Sequence, residues 1–364
     1  MAESSRILNS TIHKYIRKME VNVLRERAIL ATLESKGLVT FNNSGDLVDW
    51  KVRYKLDRMQ GYADGDVLTA SRPDRIKTAQ LPWRAYAKAE SIGKFEKLKN
   101  SGFEAIVNLT SNTAEWMMEE IRESFGDEIY KDGNLAANIK GIHGLESIYG
   151  NSGAATNGYI ASPSATYAGL STILGNYGGS WSTSSGNSTW PIGTGDSHYD
   201  FWSPLIVDYT DTAWEASTDT WANNCFEAVR FGITHIGKNK ALSGQMDMIM
   251  LSRELFRQFK NKMDPMQRLE LNRGEGSGLW ALGFKGNLLN FEGIDMTTEY
   301  GIPEAVGYGL CTSSMELMSM QATLFDVQTP DFDVLSKADR LGIDFFGNLR
   351  IKSPRQFVKW VNVT

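Results

Sequence analysis

The spacing of apolar and polar positions changes several times along the chain, and each change marks an element. Residues 6–35 carry Ile12, Met19, Val23, Leu30 and Leu33 at broadly helical intervals, with Gly37 as the stop. This predicts an amphipathic helix, or an arm containing one. From Val48 the period drops to two. Val48, Trp50, Val52, Tyr54 and Leu56 alternate with Asp49, Lys51, Arg53 and Lys55, as a half-buried strand does. A polar segment with Gly61, Gly65 and Pro73 follows. A second alternating run then puts Ala79, Leu81, Trp83, Ala85 and Ala87 on one face. The two runs predict a long antiparallel hairpin. A hairpin alone is marginally stable in water, so this one has to lie on its own domain or on a neighbouring molecule.

Helical spacing returns between Ser101 and Gly133. Ser101 and Glu104 form a capping box, and Val107, Ala114, Met117, Ile121, Phe125 and Ile129 make one apolar stripe. Glu115, Glu119, Glu120 and Glu123 fall largely off it. Unbroken, the helix would be roughly 45 Å long. Asn112 and Glu115 repeat the capping pattern, so a break at Thr110–Thr113 is the alternative. Beyond it, residues 145–212 are rich in Gly, Ser, Thr and aromatics, and the stretch 178–186 reads as loop. Asp219–Lys238 predicts a helix with Trp221, Cys225, Ala228, Val229 and Gly232 inward. Met246–Leu251 predicts a strand running into a helix capped by Ser252. Leu288–Met296 and Gly307–Leu310 read as short strands with Ile302-Pro303-Glu304 turning between them. Residues 332–364 read as short strands broken at Gly342, Gly347 and Pro354.

Composition narrows the class. With 364 residues, 41% of them hydrophobic, the chain can bury a large core and divide into two or three domains. A net charge of -5 leaves no global nucleic-acid footprint. Positive charge is concentrated early, where Arg6, Lys14, Arg17, Lys18, Arg25 and Arg27 outnumber the acidic residues. Such a segment reads either as a solvated helix face or as a contact for an acidic partner. Two cysteines, Cys225 and Cys311, make no disulfide framework and suit buried thiols in a reducing compartment. No signal-like N-terminus or membrane-length apolar run is present.

The search for chemistry returns no catalytic, cofactor or metal residues. The four histidines, His13, His143, His198 and His235, are dispersed, with no metal-ligand spacing. Asp196, His198 and Asp200 read as a polar turn. Arg273–Gly278 is glycine-rich but lacks the Lys-Ser/Thr ending of a phosphate loop.

Taken in order, the elements are a basic arm, a long hairpin, a spine helix, a Gly-rich middle and a β-rich end. This order resembles the major capsid proteins of tailed bacteriophages, an α+β fold called HK97-like. Asp344-Phe345-Phe346-Gly347-Asn348-Leu349 with Ser353-Pro354-Arg355 looks like the closing strands of that family. The segment 289–310 resembles its strand-turn-strand, and 246–259 its strand-then-helix step. The resemblance implies an N-terminal arm at 1–40, an extended hairpin (the E-loop) at 41–92 and a peripheral domain at 93–135. An axial domain at 136–327 would follow, and peripheral strands at 328–364 would close the chain.

It also implies a non-enzymatic subunit of an icosahedral virion shell, built from hexameric and pentameric capsomers in the host cytoplasm. The shell would form as a procapsid on a separate scaffolding protein and mature by expansion. Its partners would be a portal protein, decoration proteins and packaged double-stranded DNA bound without sequence specificity, with no membrane. Under this reading Arg6, Lys14, Arg17, Lys18, Trp50, Tyr54, Lys77 and Trp83 are the candidate assembly contacts. Some members crosslink a hairpin lysine to a peripheral asparagine. Lys77 and Asn348 stand in loosely comparable places, with non-covalent packing as the default. Two alternatives remain: an encapsulin-like compartment, and a glycan-binding protein or enzyme using the loop 176–201.

Overall fold

A computed structural model of the chain describes residues 27–53, 61–68, 76–99, 103–150, 159–160, 166–173, 202–212, 214, 219–237, 245–263, 288–334 and 336–362. It begins with helix α1 (Ala28–Ser35). The apolar residues there are not held out on an arm. Ile29, Leu30 and Leu33 are almost fully buried, which stabilises the fold by about 1.5–3 kcal/mol each. Strand β1 (Val39–Thr40) follows and pairs in parallel with residues 317–318, so this part of the expected 1–40 segment is tied to the sheet.

The alternation from Val48 gives β2 (Leu47–Arg53), paired antiparallel with β3 (Ile76–Pro82). Val48 faces Leu81 and Trp50 faces Ala79, as the period of two requires. The second run does not continue on that face. At Trp83 the chain leaves the hairpin, and β4 (Arg84–Gly93) joins another sheet with inverted parity. Ala85 and Ala87 are exposed there, because Tyr86 turns inward against Phe125 and Phe345. The Tyr86 hydroxyl donates to Glu128 (2.8 Å) and accepts from the Ile142 amide (2.7 Å).

A short helix α2 (Lys94–Lys99) leads to α3 (Phe103–Glu128), which passes through Thr110–Thr113 without a break. It spans about 39 Å. Ala114, Met117 and Phe125 are buried, while Glu115, Glu119, Glu120 and Glu123 are exposed, as the stripe predicts. The helix stops at Glu128, short of Gly133. Then come α4 (Glu146–Tyr149), β5 (Tyr159–Ile160), β6 (Thr166–Tyr167), β7 (Leu170–Ser171) and β8 (Leu205–Asp208).

Helix α5 (Trp221–Gly237) buries Trp221, Cys225, Ala228 and Val229. Strand β9 (Met248–Leu251) enters α6 (Arg253–Met263) through Ser252. The Ser252 carbonyl accepts from Phe256 N (2.9 Å), but its hydroxyl is buried without a partner among the described residues and does not cap the helix. The expected single strand 288–296 is instead a hairpin of β10 (Leu288–Phe291) and β11 (Ile294–Thr298). It turns at Glu292 and Gly293, both with positive φ.

Strands β12 (Gly307–Leu310), β13 (Met315–Ser319) and β14 (Asp326–Asp333) precede β15 (Ala338–Ile351). The last is one continuous strand of 14 residues, not the broken set expected, and it runs through both Gly342 and Gly347. Strand β16 (Val358–Val361) ends the fold.

Two sheets organise these elements. One joins β1, β13, β15 and β14, with β4 also on β15; the other runs β10-β11-β9-β12-β16-β8-β5. One core lies between the two sheets and includes Met248, Met250 and Tyr308 of the seven-stranded one, whose Ile249, Leu251 and Trp360 pack in a second core with α5 and α6. β13, expected in the axial domain, lies in the sheet under α3, and β16 crosses back into the seven-stranded sheet.

Candidate functional site

The hairpin is the natural place to look for a functional surface, since among the described residues β2 and β3 form a sheet only with each other, tied to the β6–β7 turn by Gln80 N donating to Ala168 O (2.9 Å). Its two tryptophans have different surroundings. Trp50 lies against Tyr167 and Trp202, at 6.4 and 6.3 Å between ring centroids, and its Nε1–H donates to the Lys352 carbonyl (3.2 Å). It is half-buried and packs against its own subunit. Trp83 donates from Nε1 to Gly45 O (2.8 Å) in an exposed setting. Lys77 faces Val52 in the hairpin ladder. Arg6, Lys14, Arg17, Lys18 and Tyr54 lie outside the described residues, as do the loop 176–201, Asp196, His198, Asp200 and the 273–278 segment.

Asn348 has no freedom to crosslink. It is 1% exposed and every polar position of its carboxamide is used. Oδ1 accepts from the His143 and Leu349 amides, each at 2.9 Å. Nδ2 donates to Pro82 O (2.8 Å) and meets His143 Nδ1 at 3.1 Å. Because two amides fix Oδ1, Nδ2 is the donor to the ring, and Nδ1 is the unprotonated nitrogen. Burial, and then the nearby Arg84 charge, push the His143 pKa down to about 4, which keeps the ring neutral.

Two further polar nodes tie distant elements together, and no sequence motif announces either. Arg27 is buried at the start of α1, where it donates to the Tyr300 carbonyl and to Glu123 O (3.2 Å) and pairs with Asp127 (3.4 Å). Gly126 makes room for it: a Cβ there would collide with the guanidinium. A helix-interior glycine costs about 1 kcal/mol relative to alanine, and here it admits the arginine. Glu299 lies 3.9 Å from Arg27 and accepts from Ile29 N (3.4 Å) in the first turn of α1, where Arg27 itself offers no capping acceptor. Burial raises the Glu299 pKa to about 7, against the lowering influence of Arg27. The second node joins Glu146 to Lys359 (2.7 Å) and to the Tyr308 hydroxyl (2.5 Å), and so links α4 to the seven-stranded sheet.

Three clefts accompany these features. One of about 220 Å³ lies between α3 and the β4–β15 pair, lined by Tyr86, Phe125, Phe325 and Phe345. One of about 1230 Å³ lies beside the Arg27–Glu299 node, bounded by Tyr130, Arg253, Tyr300 and Glu304. The third, about 550 Å³, opens at the hairpin root between Pro82, Arg84 and His143. Among the described residues, no group of His, Cys, Asp and Glu is arranged to hold a metal ion. No helix among them is long and apolar enough to cross a membrane. Cys225 and Cys311 are buried free thiols, and burial raises the Cys225 pKa to about 11.

Among solved structures, the chain is similar to the capsid asymmetric unit of cyanophage A-1(L), with a TM-score of 0.57 at 14% identity over 91% of this chain and 93% of that one. The capsid of an empty GTA particle gives 0.53 at 9% identity over 90% and 96%. A chain from Mycobacterium phage Adephagia gives 0.51 at 10% identity over 93% and 90%. The likeness is one of fold, and the fold is the HK97-like α+β arrangement expected from the sequence. No protein-family model matches the chain, and no curated protein matches its sequence.

Proposed function

We propose that this chain is the major capsid protein of a tailed bacteriophage, a structural subunit whose copies close into an icosahedral shell around double-stranded DNA. The observation that carries this reading is a likeness of fold extending over about nine-tenths of both chains in each comparison with a capsid. The surfaces of the subunit are consistent with it. Tyr62, Val67 and Leu68, in the segment joining the two hairpin strands, are all well exposed, an apolar group that a neighbouring copy would cover. The polar nodes serve to lock elements together, and the chain's chemistry is that of packing rather than catalysis.

On this reading hexameric and pentameric capsomers form first on a separate scaffolding protein, which the basic residues Arg6, Lys14, Arg17 and Lys18 contact. A portal protein, decoration proteins and DNA held without sequence specificity complete the partners. Assembly takes place in the host cytoplasm, and the mature protein resides in the virion. Electron microscopy of the expressed chain, alone and with the neighbouring gene products, tests the reading. Closed shells or capsomers support it; a monomer under every condition overturns it.

A further inference from the structure

The cleft at the hairpin root holds a cation without a counter-ion. Arg84, half-buried at the start of β4, lines it. Its Nε is buried with no hydrogen-bond partner, and it makes no ion pair among the described residues. A guanidinium withdrawn from water in this way is costly until an acceptor meets it. His143 lines the same cleft and lies close enough for the Arg84 charge to act on its ring. It is 4% exposed and its Nδ1 is occupied by Asn348, so the ring proton is on Nε2. That N–H has no acceptor among the described residues. The fold holds both donors in place, since the Asn348 carboxamide that fixes the ring also donates to Pro82 O, two residues before Arg84. The Asp132 carboxylate lines the cleft as well, but it is engaged by the Asn134 amide (2.8 Å) and does not pair with Arg84.

Charge and size together decide the class of ligand. The planar fork of a guanidinium matches the oxygens of a phosphate, and a neutral imidazole N–H beside it adds a second fixed donor. The cleft of about 550 Å³ is larger than a bare ion needs and falls within the range of small-molecule sites, on the order of 300–1,000 Å³. Leu135 and Ile139 at its rim are 50% and 57% exposed, an apolar shelf beside the two donors. We propose that the cleft is a binding site for a small phosphate-bearing ligand, whose phosphate accepts from the Arg84 guanidinium and from His143 Nε2–H while the rest of its body lies on Leu135 and Ile139. Inorganic phosphate and a phosphomonoester share this chemistry, and the test separates them. The site belongs to the single subunit, so it does not rest on shell formation. A phosphate seated there bridges β4 to the loop after α3 at the point where the chain leaves the hairpin, and so stiffens the hairpin root.

Calorimetric titration of the full chain tests it with two probes, inorganic phosphate and deoxythymidine monophosphate, each against sodium chloride of equal ionic strength. Saturable uptake of one ligand per chain is expected. Arg84→Lys keeps the charge but loses the fork and should weaken binding severalfold, and Arg84→Met should weaken it at least about tenfold. Thermal unfolding supplies a second readout. Arg84→Met removes a charge that has no counter-ion, so its melting temperature in chloride should equal or exceed that of the wild type. The upward shift that phosphate gives the wild type should vanish in this variant. Uptake of the free ion alone supports the site with inorganic phosphate as its ligand, and tighter uptake of the ester supports it with the apolar rim included. Absence of saturable uptake of either probe, or wild-type binding by Arg84→Met, overturns it. An Arg84→Met variant that loses the same stability in chloride and in phosphate overturns it too, because Arg84 then serves the fold alone.

Discussion

Asn348 grips His143 twice, at its backbone amide (2.9 Å) and at ring Nδ1 (3.1 Å), and so holds the imidazole as a neutral tautomer. Burial, with the Arg84 charge adding to it, places the folded-state pKa near 4, below the ordinary 6.5. Between these values the unfolded chain binds more protons than the folded one. The contribution of His143 is therefore complete above pH 6.5 and falls by about 3 kcal/mol as the pH drops towards 4. Urea unfolding of the wild type and His143→Gln across pH 4–8 should give a stability difference that changes only in this window.

Glu299 has the opposite sign. Its folded-state pKa near 7 lies above the ordinary 4.5, so the folded chain holds the extra proton between these values. Its contribution is most favourable below pH 4.5 and declines by about 3 kcal/mol as the pH rises through 7. The two windows overlap, so the two groups largely cancel in the wild type between pH 4.5 and 6.5. Glu299→Gln should unmask the His143 slope, with stability rising with pH. A wild type and variant that run parallel would rule out the buried, proton-holding carboxylate.

Trp50 and Trp83 should separate on mutation. Trp50→Ala removes a ring packed on Tyr167 and Trp202 and is expected to cost the subunit about 3 kcal/mol in urea unfolding. Trp83→Ala loses one exposed hydrogen bond to Gly45 and part of the side chain's packing on the core, with an expected cost of about 1 kcal/mol. A Trp50 variant that folds like wild type and fails only in assembly would make it an interface anchor.

The basic residues of the arm give a prediction from charge alone. On the proposed reading of a scaffold contact, Arg17→Glu with Lys18→Glu should lower scaffold-dependent particle yield more than it lowers monomer stability, because charge complementarity chiefly sets pairing and on-rate. Co-expression with the scaffold followed by sedimentation reads the yield, and an undiminished yield would count against the contact.

Local patterns carried much of the fold. The alternation around Val48 and Trp50 gave β2 its register against Leu81 and Ala79, and the stripe through Met117 and Phe125 gave α3 its inner face. Alternation could not reveal that Pro82 and Trp83 separate two sheets, since a parity flip leaves Ala85 and Ala87 as apolar as before. The polar nodes were invisible for another reason. Arg27 and Glu299 are far apart in sequence, as are His143 and Asn348, and only tertiary packing brings either pair together. The hairpin-root cleft draws on β4, the loop after α3 and the β6–β7 turn, so no single stretch contains its pattern.

Gly347 was expected to break a strand, and instead it is what lets β15 continue past a crowded point. A Cβ at 347 would collide with the Met318 carbonyl of the paired strand β13 and lie 2.6 Å from Phe345 Cζ. The carbonyl belongs to the sheet and has no rotamer by which to move away. Gly347→Ala should therefore displace β13 from β15 and cost several kcal/mol, on the order of the 1–3 kcal/mol of a typical overpacking or somewhat more. Gly93, at the far end of β4, is the control: a Cβ there meets nothing within 4 Å, and its φ is not in the left-handed region. Gly93→Ala should be neutral or stabilise by up to about 1 kcal/mol, by narrowing the unfolded ensemble. Thermal unfolding of the two variants beside wild type decides the matter. Equal melting temperatures would mean that β13 and β15 do not approach as closely as the register at Met318 and Asn348 requires.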